Sequence, residues 1–297
     1  MIRHLLGIAD LLPEEVRALL DRADQLADGA EPRRLLGKLQ ANLFFENSTR
    51  TALSFEIAAK RAGAEVVTFQ SESSSLSKGE SLLDTARTVE ALGADVLVVR
   101  HRETGAPRQL AAAVDTAVIN AGDGTNEHPT QALLDALTLH RHFGRLTGLA
   151  VAIVGDLRHS RVANSNMLLL TGQGARVLAT GPAVLLPDVL PGGVEPIRTL
   201  DEAVARADAL MTLRVQRERL EDTLDLSVAD YHREWGVTAA RLANASPKLA
   251  IMHPGPINRG VEIADEVADH PTRSLILEQV RLGVPTRTAC LEWVLEA

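Results

Sequence analysis

Short apolar runs alternate with amphipathic stretches along nearly the whole chain, and this alternation limits the fold more than any other feature. Runs at Ala41–Phe45, Glu65–Phe69, Asp95–Arg100 and Ala117–Asn120 have the length and bulk of buried strands. A helix follows the first run, capped by Asn47 or Ser48, with apolar Leu53 and Ile57 one turn apart and Gly63 as its stop. Further helical patterns cover 10–28, 81–92, 107–114 and Pro129–Phe143. After Gly144 and Gly148 the pattern restarts. Strands are expected at Leu149–Val154, Ala175–Thr180, Asp208–Thr212 and Lys248–Met252, with helices at Val162–Leu170 and Leu200–Ala207. Separate helical stretches at Ser274–Arg281 and Thr286–Leu295 close the chain. The alternation predicts an α/β protein of two doubly wound parallel-sheet domains, joined by the 129–143 helix.

In open parallel sheets ligands bind beyond the carboxyl ends of the strands, so the residues after each run matter most. The first run leads into Ser48, Thr49, Arg50 and Thr51 at a helix start. Free N–H groups, hydroxyls and a planar guanidinium suit a phosphate there; the plain alternative is a helix cap beside a surface arginine. Arg100 follows the third run, and Ala-Gly-Asp-Gly-Thr-Asn-Glu-His-Pro-Thr-Gln (121–131) follows the fourth. Gly-Asp-Leu-Arg-His-Ser-Arg ends at Arg161, Arg214 and Gln216 follow Met211, and His-Pro-Gly-Pro (253–256) follows Met252. Polar and cationic groups thus recur at one edge of both sheets. Only Gly155 stands where a dinucleotide fingerprint needs three glycines, and there is no nucleotide P-loop.

Composition narrows the partners. The formal net charge of −8 argues against nucleic acid, so any anionic ligand depends on local arginines. With 45% apolar and 24% charged residues, no long apolar span and no basic-then-apolar leader, neither membrane nor secretion is expected, and the setting reads as cytoplasmic. Cys290 is the single cysteine, which leaves no cysteine-rich metal site. By themselves, the serine-rich 73–80 stretch reads as a flexible loop, His128 as a cap, and Arg217 and Arg219 as a charged helix start.

The motifs also carry a family likeness. F-F-E-N-S-T-R-T-A-L-S-F-E over 44–56 resembles the carbamoyl-phosphate signature of the aspartate/ornithine carbamoyltransferase family. H-P-T-Q (128–131), K-G-E (78–80), D-L-x-x-x-R ending at Arg161, and R-V-Q-x-E-R from Arg214 match further family motifs in family order. The resemblance implies that Ser48, Thr49, Arg50 and Thr51 bind carbamoyl phosphate, with Thr51, Arg100 and His128 donating to the carbamoyl carbonyl oxygen. It implies that Gln131 meets the carbamoyl amine and that Gly255 and Pro256 line the same ligand. Ser75, or Ser74 in its place, and Lys78 would reach into a neighbouring subunit's site, which implies a homotrimer with shared active sites. Assembly into a dodecamer with a regulatory chain or a dihydroorotase is compatible with this. Arg161, with Arg158 as a nearby competitor, would hold the α-carboxylate of L-aspartate. Arg214 and Gln216 would hold its side-chain carboxylate, with Lys78 also on the amino acid. Arg50, Thr51, Arg100, His128 and Lys78 are the implied catalytic set, without cofactor or metal.

The family layout puts carbamoyl phosphate on residues 1–143, with a C-terminal helix (284–297) returning to that domain, and the amino acid on 144–283. H-P-G-P, rather than a cysteine-containing H-C-L-P, resembles the aspartate branch. The implied reaction is carbamoyl transfer to L-aspartate in pyrimidine synthesis. The sequence offers no obvious base for the ammonium proton, so the expectation is that the phosphate itself takes it. Gly255, Ala52 and Glu127 depart from residues common among relatives.

Overall fold

The first apolar run is strand β1, Leu39–Phe44, and it lies inside its sheet with only its first residue partly open to solvent. β1 is followed by helix α2, Thr49–Ala62, which comes after α1, Pro13–Ala27, in the chain. Then come β2 (Glu65–Gln70), α3 (Leu82–Ala91), β3 (Val96–His101), α4 (Ala106–Ala111), β4 (Ala117–Asp123) and α5 (Pro129–Phe143). The four strands pair in parallel in the order β2-β1-β3-β4. This computed structural model describes residues 2–32, 35–70, 81–215, 227–243 and 245–296. Contacts divide the chain into two units, Met1–Leu137 with Leu282–Ala297, and Thr138–Arg281.

In the first unit Ala41, Leu43, Leu97, Val99, Leu110 and Val118 form one core cluster. Each large aliphatic side chain buried in this way contributes about 1.5–3 kcal/mol. Local chemistry sets the helix ends. Pro13 stands at the first position of α1, and the Glu15 carboxylate reaches back 2.9 Å to the Leu12 N–H. Ser81 caps α3 by accepting from the Asp84 N–H, and Gly63 ends α2 with φ 86°. The buried face of α2 differs from the expected one. Thr51, Phe55, Ala58, Ala59 and Ala62 turn inward, while Leu53 and Ile57 are 52% and 41% exposed. The stripe of small side chains, not the pair of large ones, lets the helix lie close on its sheet.

The second unit repeats the plan. β5 (Ala150–Val154), α6 (Arg161–Gly172), β6 (Arg176–Thr180), β7 (Val194–Pro196), α7 (Leu200–Arg206), β8 (Ala209–Thr212) and β9 (Ala250–Met252) give a parallel sheet of order β7-β6-β5-β8-β9. Ala152, Leu178, Leu210 and Ile251 anchor its core. Short elements outside the expected pattern are β7 and the helices α8 (Val228–Trp235), α9 (Ala239–Leu242) and α10 (Asp265–Ala268). Tyr231 on α8 is fully buried with Leu185, Val215 and Val261, and burial together with the nearby Glu262 and Asp156 charges pushes its phenol pKa up.

The chain ends in one helix, α11, Ile276–Leu295, with Pro285 inside it. Two helices with a break between them were expected. Pro285 has no N–H for the Arg281 carbonyl four residues back, and the three carbonyls after that one accept side-chain donors. Thr286 Oγ1 donates to the Leu282 carbonyl (2.8 Å), Thr288 Oγ1 to that of Val284 (3.1 Å), and Arg287 Nη1 to that of Gly283 (3.2 Å). The C-terminal part of α11 packs on the first unit, as the resemblance implied. Arg22 of α1 grips the buried Glu292 carboxylate through Nε (2.6 Å) and Nη2 (3.0 Å), and Arg3 lies over Trp293.

Candidate active site

Each sheet has one point where the chain reverses its direction of travel. In the first sheet β2 lies on one side of β1 and β3 on the other, so the reversal falls between β1 and β3. There the carboxyl ends of two neighbouring strands splay helices apart and leave a crevice. Phe44 pairs with Arg100 in register, and the Phe45 N–H donates 2.9 Å to the Arg100 carbonyl. The loop that follows β1 holds the helix start expected from the sequence. Ser48 is the N-cap of α2, but its hydroxyl does not bond to the backbone of the first turn. It donates 3.0 Å to Thr51 Oγ1 instead. The backbone N–H groups at that turn keep their positive end of the helix dipole directed outward. Thr51 is buried, and Thr49 and Arg50 are exposed.

Arg100 joins three pieces of this region. Its Nη2 pairs with Glu46 Oε1 at 2.6 Å and its Nη1 donates 3.1 Å to the Ala121 carbonyl. It therefore links the loop after β1 to the end of β4. Residues 121–131 begin in that strand and end in the first turn of α5, which starts at Pro129. His128 and Gln131 are both buried, and the His128 carbonyl accepts the Gln131 N–H at 3.0 Å. Gln131 Nε2 donates 2.9 Å to Asp135 Oδ1, so its amide orientation is set from one turn further on.

The sequence reading missed Asp123, which organises this loop. Its carboxylate is 1% exposed and four donors converge on it. Oδ1 accepts from Asn120 Nδ2 (2.8 Å) and the Glu127 N–H (3.1 Å). Oδ2 accepts from the Gly105 N–H (2.7 Å) and Asn126 Nδ2 (3.1 Å). An aspartate between two glycines in a tight turn was the available signal. Glu127 also has a definite task, since Oε2 accepts the Ile8 N–H at 2.7 Å and ties the amino-terminal segment to the loop. Gly7 lies so near that a Cβ there would meet Glu127 Oε1 at 2.4 Å.

In the second sheet the reversal falls between β5 and β8. After β5 the chain turns at Gly155 (φ 124°), and Asp156 accepts from the His159 backbone (3.1 Å) and from its Nδ1 (2.9 Å). Ser160 caps α6 by accepting from the Ala163 N–H, which puts Arg161 at the first helical position. Arg158 is committed elsewhere, donating through Nε to the Leu186 carbonyl (2.9 Å) and pairing through Nη2 with Asp188 (2.7 Å). On the other side of the reversal the Leu213 N–H donates to the Val154 carbonyl at 2.9 Å, and Arg214 follows, exposed. Arg161 and Arg214 thus flank the switch point of the second sheet, as Ser48–Thr51 and Arg100 flank that of the first.

The His253–Pro256 loop is held from beneath. His253 is buried, accepts the Gly255 N–H on Nδ1 (2.8 Å), and lies 3.1 Å through Nε2 from Glu262 Oε1. A ring that accepts on Nδ1 must carry its proton on Nε2, so the contact to Glu262 is a donated hydrogen bond. Glu262 Oε1 also accepts the Asn258 N–H, and Asn258 Nδ2 donates 2.6 Å to the Val215 carbonyl. The loop is therefore tied to the segment that carries Arg214. Gly255 has φ 70°, where a side chain would be strained, and its bond to Pro256 is cis. Ser74, Ser75, Lys78 and Gln216 lie outside the described residues. No cluster of three or more metal-ligating side chains occurs among the described residues.

Comparison with known proteins places this geometry. A family model described as "Aspartate/ornithine carbamoyltransferase, carbamoyl-P binding domain" matches residues 3–141. A second, "Aspartate/ornithine carbamoyltransferase, Asp/Orn binding domain", matches residues 147–294. A protein of Granulibacter bethesdensis named aspartate carbamoyltransferase catalytic subunit is 54% identical over 97% of this chain and 93% of its own length. The crystal structure of aspartate transcarbamoylase from Trypanosoma cruzi in complex with N-(phosphonacetyl)-L-aspartic acid superposes with a TM-score of 0.87 at 33% identity, covering 97% of this chain and 94% of that one. Ornithine carbamoyltransferase from Pyrococcus furiosus superposes with a TM-score of 0.87 at 28% identity, covering 98% and 96%. The backbone is thus common to both branches, and side chains must separate them.

Proposed function

The chain belongs to the aspartate/ornithine carbamoyltransferase family, and from that membership we propose how its residues divide the work of one reaction. The reaction is transfer of the carbamoyl group of carbamoyl phosphate to the amine of L-aspartate, giving N-carbamoyl-L-aspartate and phosphate, in pyrimidine biosynthesis. The observation that carries the division of roles is the pairing of cationic loops with switch points, one in each sheet.

The first unit takes carbamoyl phosphate. The open N–H groups of α2, Ser48, Thr49 and Arg50 hold the phosphate. Thr51, Arg100 and His128 donate to the carbamoyl oxygen, Gln131 holds the carbamoyl amine, and Gly255 and Pro256 close on the same ligand. The second unit takes L-aspartate, with Arg161 on the α-carboxylate and Arg214 with Gln216 on the side-chain carboxylate. The amine lone pair adds to the carbamoyl carbon and negative charge grows on its oxygen, where the three donors stabilise it. The bond from carbon to the phosphate oxygen then breaks, and the departing phosphate carries away the ammonium proton. Holding the two substrates together supplies much of the remaining rate. A cytoplasmic setting goes with this reading; no described helix is long and apolar enough to cross a membrane.

The assignment of Arg161 has a direct test. Arg161→Ala should raise the KM for aspartate about a hundredfold, since a charged hydrogen bond to a carboxylate is lost. Affinity for carbamoyl phosphate should stay within about twofold of wild type, because the variant leaves the first switch point untouched. Equal losses in both substrates would move Arg161 out of the amino-acid site. Ser75 and Lys78 belong to a neighbouring subunit's site in a homotrimer, alone or within a dodecamer that adds a regulatory chain or a dihydroorotase. Mixing Arg50→Ala and Lys78→Ala chains should then restore activity, because some mixed trimers contain an intact site. Mixed trimers verified by mass that stay inactive would contradict sharing.

A further inference from the structure

One buried charge is left over once the site is assigned. Arg287, on α11, is 4% exposed. Its Nη1 donates to Ser54 Oγ at 2.7 Å and to the Gly283 carbonyl at 3.2 Å, and its Cζ lies 5.3 Å from the centre of the Phe55 ring. All of these partners are neutral. Asp135 attracts the guanidinium and Arg100 repels it without a hydrogen bond to either. Burial is the main cause that lowers its pKa, to about 10, so it stays charged near neutral pH. A buried cation whose hydrogen bonds all go to neutral groups is costly, and an aliphatic side chain of similar volume would avoid that cost.

The seat for this guanidinium is built, not accidental. Gly283 lies inside α11, where glycine weakens a helix. A Cβ at Gly283 would come within 2.6 Å of Arg287 Nη1 and 3.5 Å of Ser54 Oγ. The glycine therefore leaves the space that the guanidinium fills. That space borders α2 one turn beyond Arg50 and Thr51, at Ser54 and Phe55, and Arg100 is near enough for the two cations to repel.

We propose that Arg287 is a positioning residue for the phosphate subsite, a fixed positive charge behind the first turn of α2 that strengthens its hold on a dianion. The inference rests on the reading that Ser48–Thr51 takes the phosphate of carbamoyl phosphate. The physical reason is the medium. Arg50 acts at the surface, where water and salt screen it, whereas Arg287 acts through protein, where a charge is felt more strongly at the same distance. Its bond to Ser54 and its contact with Phe55 also fix the helix whose N–H groups meet the anion.

Titration of inorganic phosphate into the full-length wild type and into Arg287→Met, Arg287→Gln, Arg287→Lys and Arg50→Ala tests this, with the unliganded Tm of each recorded. The Met and Gln variants should bind phosphate about tenfold more weakly or worse. Their Tm should be unchanged or higher, because a costly buried charge is gone. The Lys variant should recover most of the affinity. Gln keeps a donor for Ser54 without the charge, so wild-type affinity in the Gln variant overturns the proposal. A lower Tm with unchanged phosphate affinity in the Met variant overturns it too and makes Arg287 a clamp between helices. Arg50→Ala separates the two claims. If it weakens phosphate binding while the Arg287 variants do not, only the inference fails. If none of the variants weakens binding, the phosphate site itself is misassigned.

Discussion

Arg50→Ala should lower kcat/KM by about a thousandfold or more, and most of that loss should appear in kcat. Arg50 is exposed at the first turn of α2, so its side chain is not part of the buried core. A side chain that only gripped the substrate would raise KM and leave turnover nearly intact. The phosphate gains charge as the carbon–oxygen bond breaks, so the guanidinium does more for the transition state than for the bound substrate. Steady-state kinetics with carbamoyl phosphate varied at saturating aspartate separates the two cases. Near-normal kcat with a raised KM would remove Arg50 from the chemistry and leave it as a binding residue.

Asp123→Ala should be the most damaging single change away from the substrates. Four donors meet on one buried carboxylate, and alanine would take that acceptor from the Gly105 and Glu127 N–H groups and from both asparagine side chains, leaving Asn120 Nδ2 with the Leu6 carbonyl. The cost should be about 3–5 kcal/mol, the range found when a buried charged partner is deleted. Activity should fall as well, because Glu127 and His128 sit on the loop that those bonds shape. Asp123→Asn is the sharper variant. It keeps one acceptor oxygen but turns an NH2 group towards donors, so it should cost stability as well. Urea unfolding of both variants, together with their kcat, checks this. Wild-type stability in Asp123→Asn would mean that the loop holds its form without the carboxylate.

The contrast between Arg50 and Asp123 shows what a sequence discloses. Arg50 was legible because its motif joins three kinds of anion donor at a strand-to-helix junction, and the sheet order then places that junction at the switch point. Asp123 was not, because polar residues around a turn give no sign of which one is buried, and its fourth donor, the Gly105 N–H, comes from 18 residues earlier in the chain. The strands could be read from apolar runs, except β7, whose three residues include exposed Glu195 and Pro196 and make no such run. The inward face of α2 could not. Leu53 and Ile57 give the stronger apolar spacing, yet Phe55 and three alanines form the buried face, which alternates one large side chain with small ones.

The expected break before Thr286 rested on Gly283 and Pro285, and both residues are within a continuous helix. Burial of Leu282, Ala289, Cys290 and Leu291 favours the continuous helix, and Gly283 has a separate reason in the space it leaves for Arg287. The choice between Arg158 and Arg161 illustrates the same limit. Both are arginines in one short loop, and the sequence does not show that Arg158 bonds to the Leu186 carbonyl and Asp188.

Two carboxylates on the acceptor substrate are the chemical claim on which the second unit's assignment stands. Its most direct test is transfer from radiolabelled carbamoyl phosphate to L-aspartate, run beside the same assay with L-ornithine. The account predicts labelled N-carbamoyl-L-aspartate and no product with ornithine, since Arg161 and Arg214 would repel a cationic side chain. Product with ornithine and none with aspartate would contradict it, and would leave only the Ser48–Thr51 phosphate site standing.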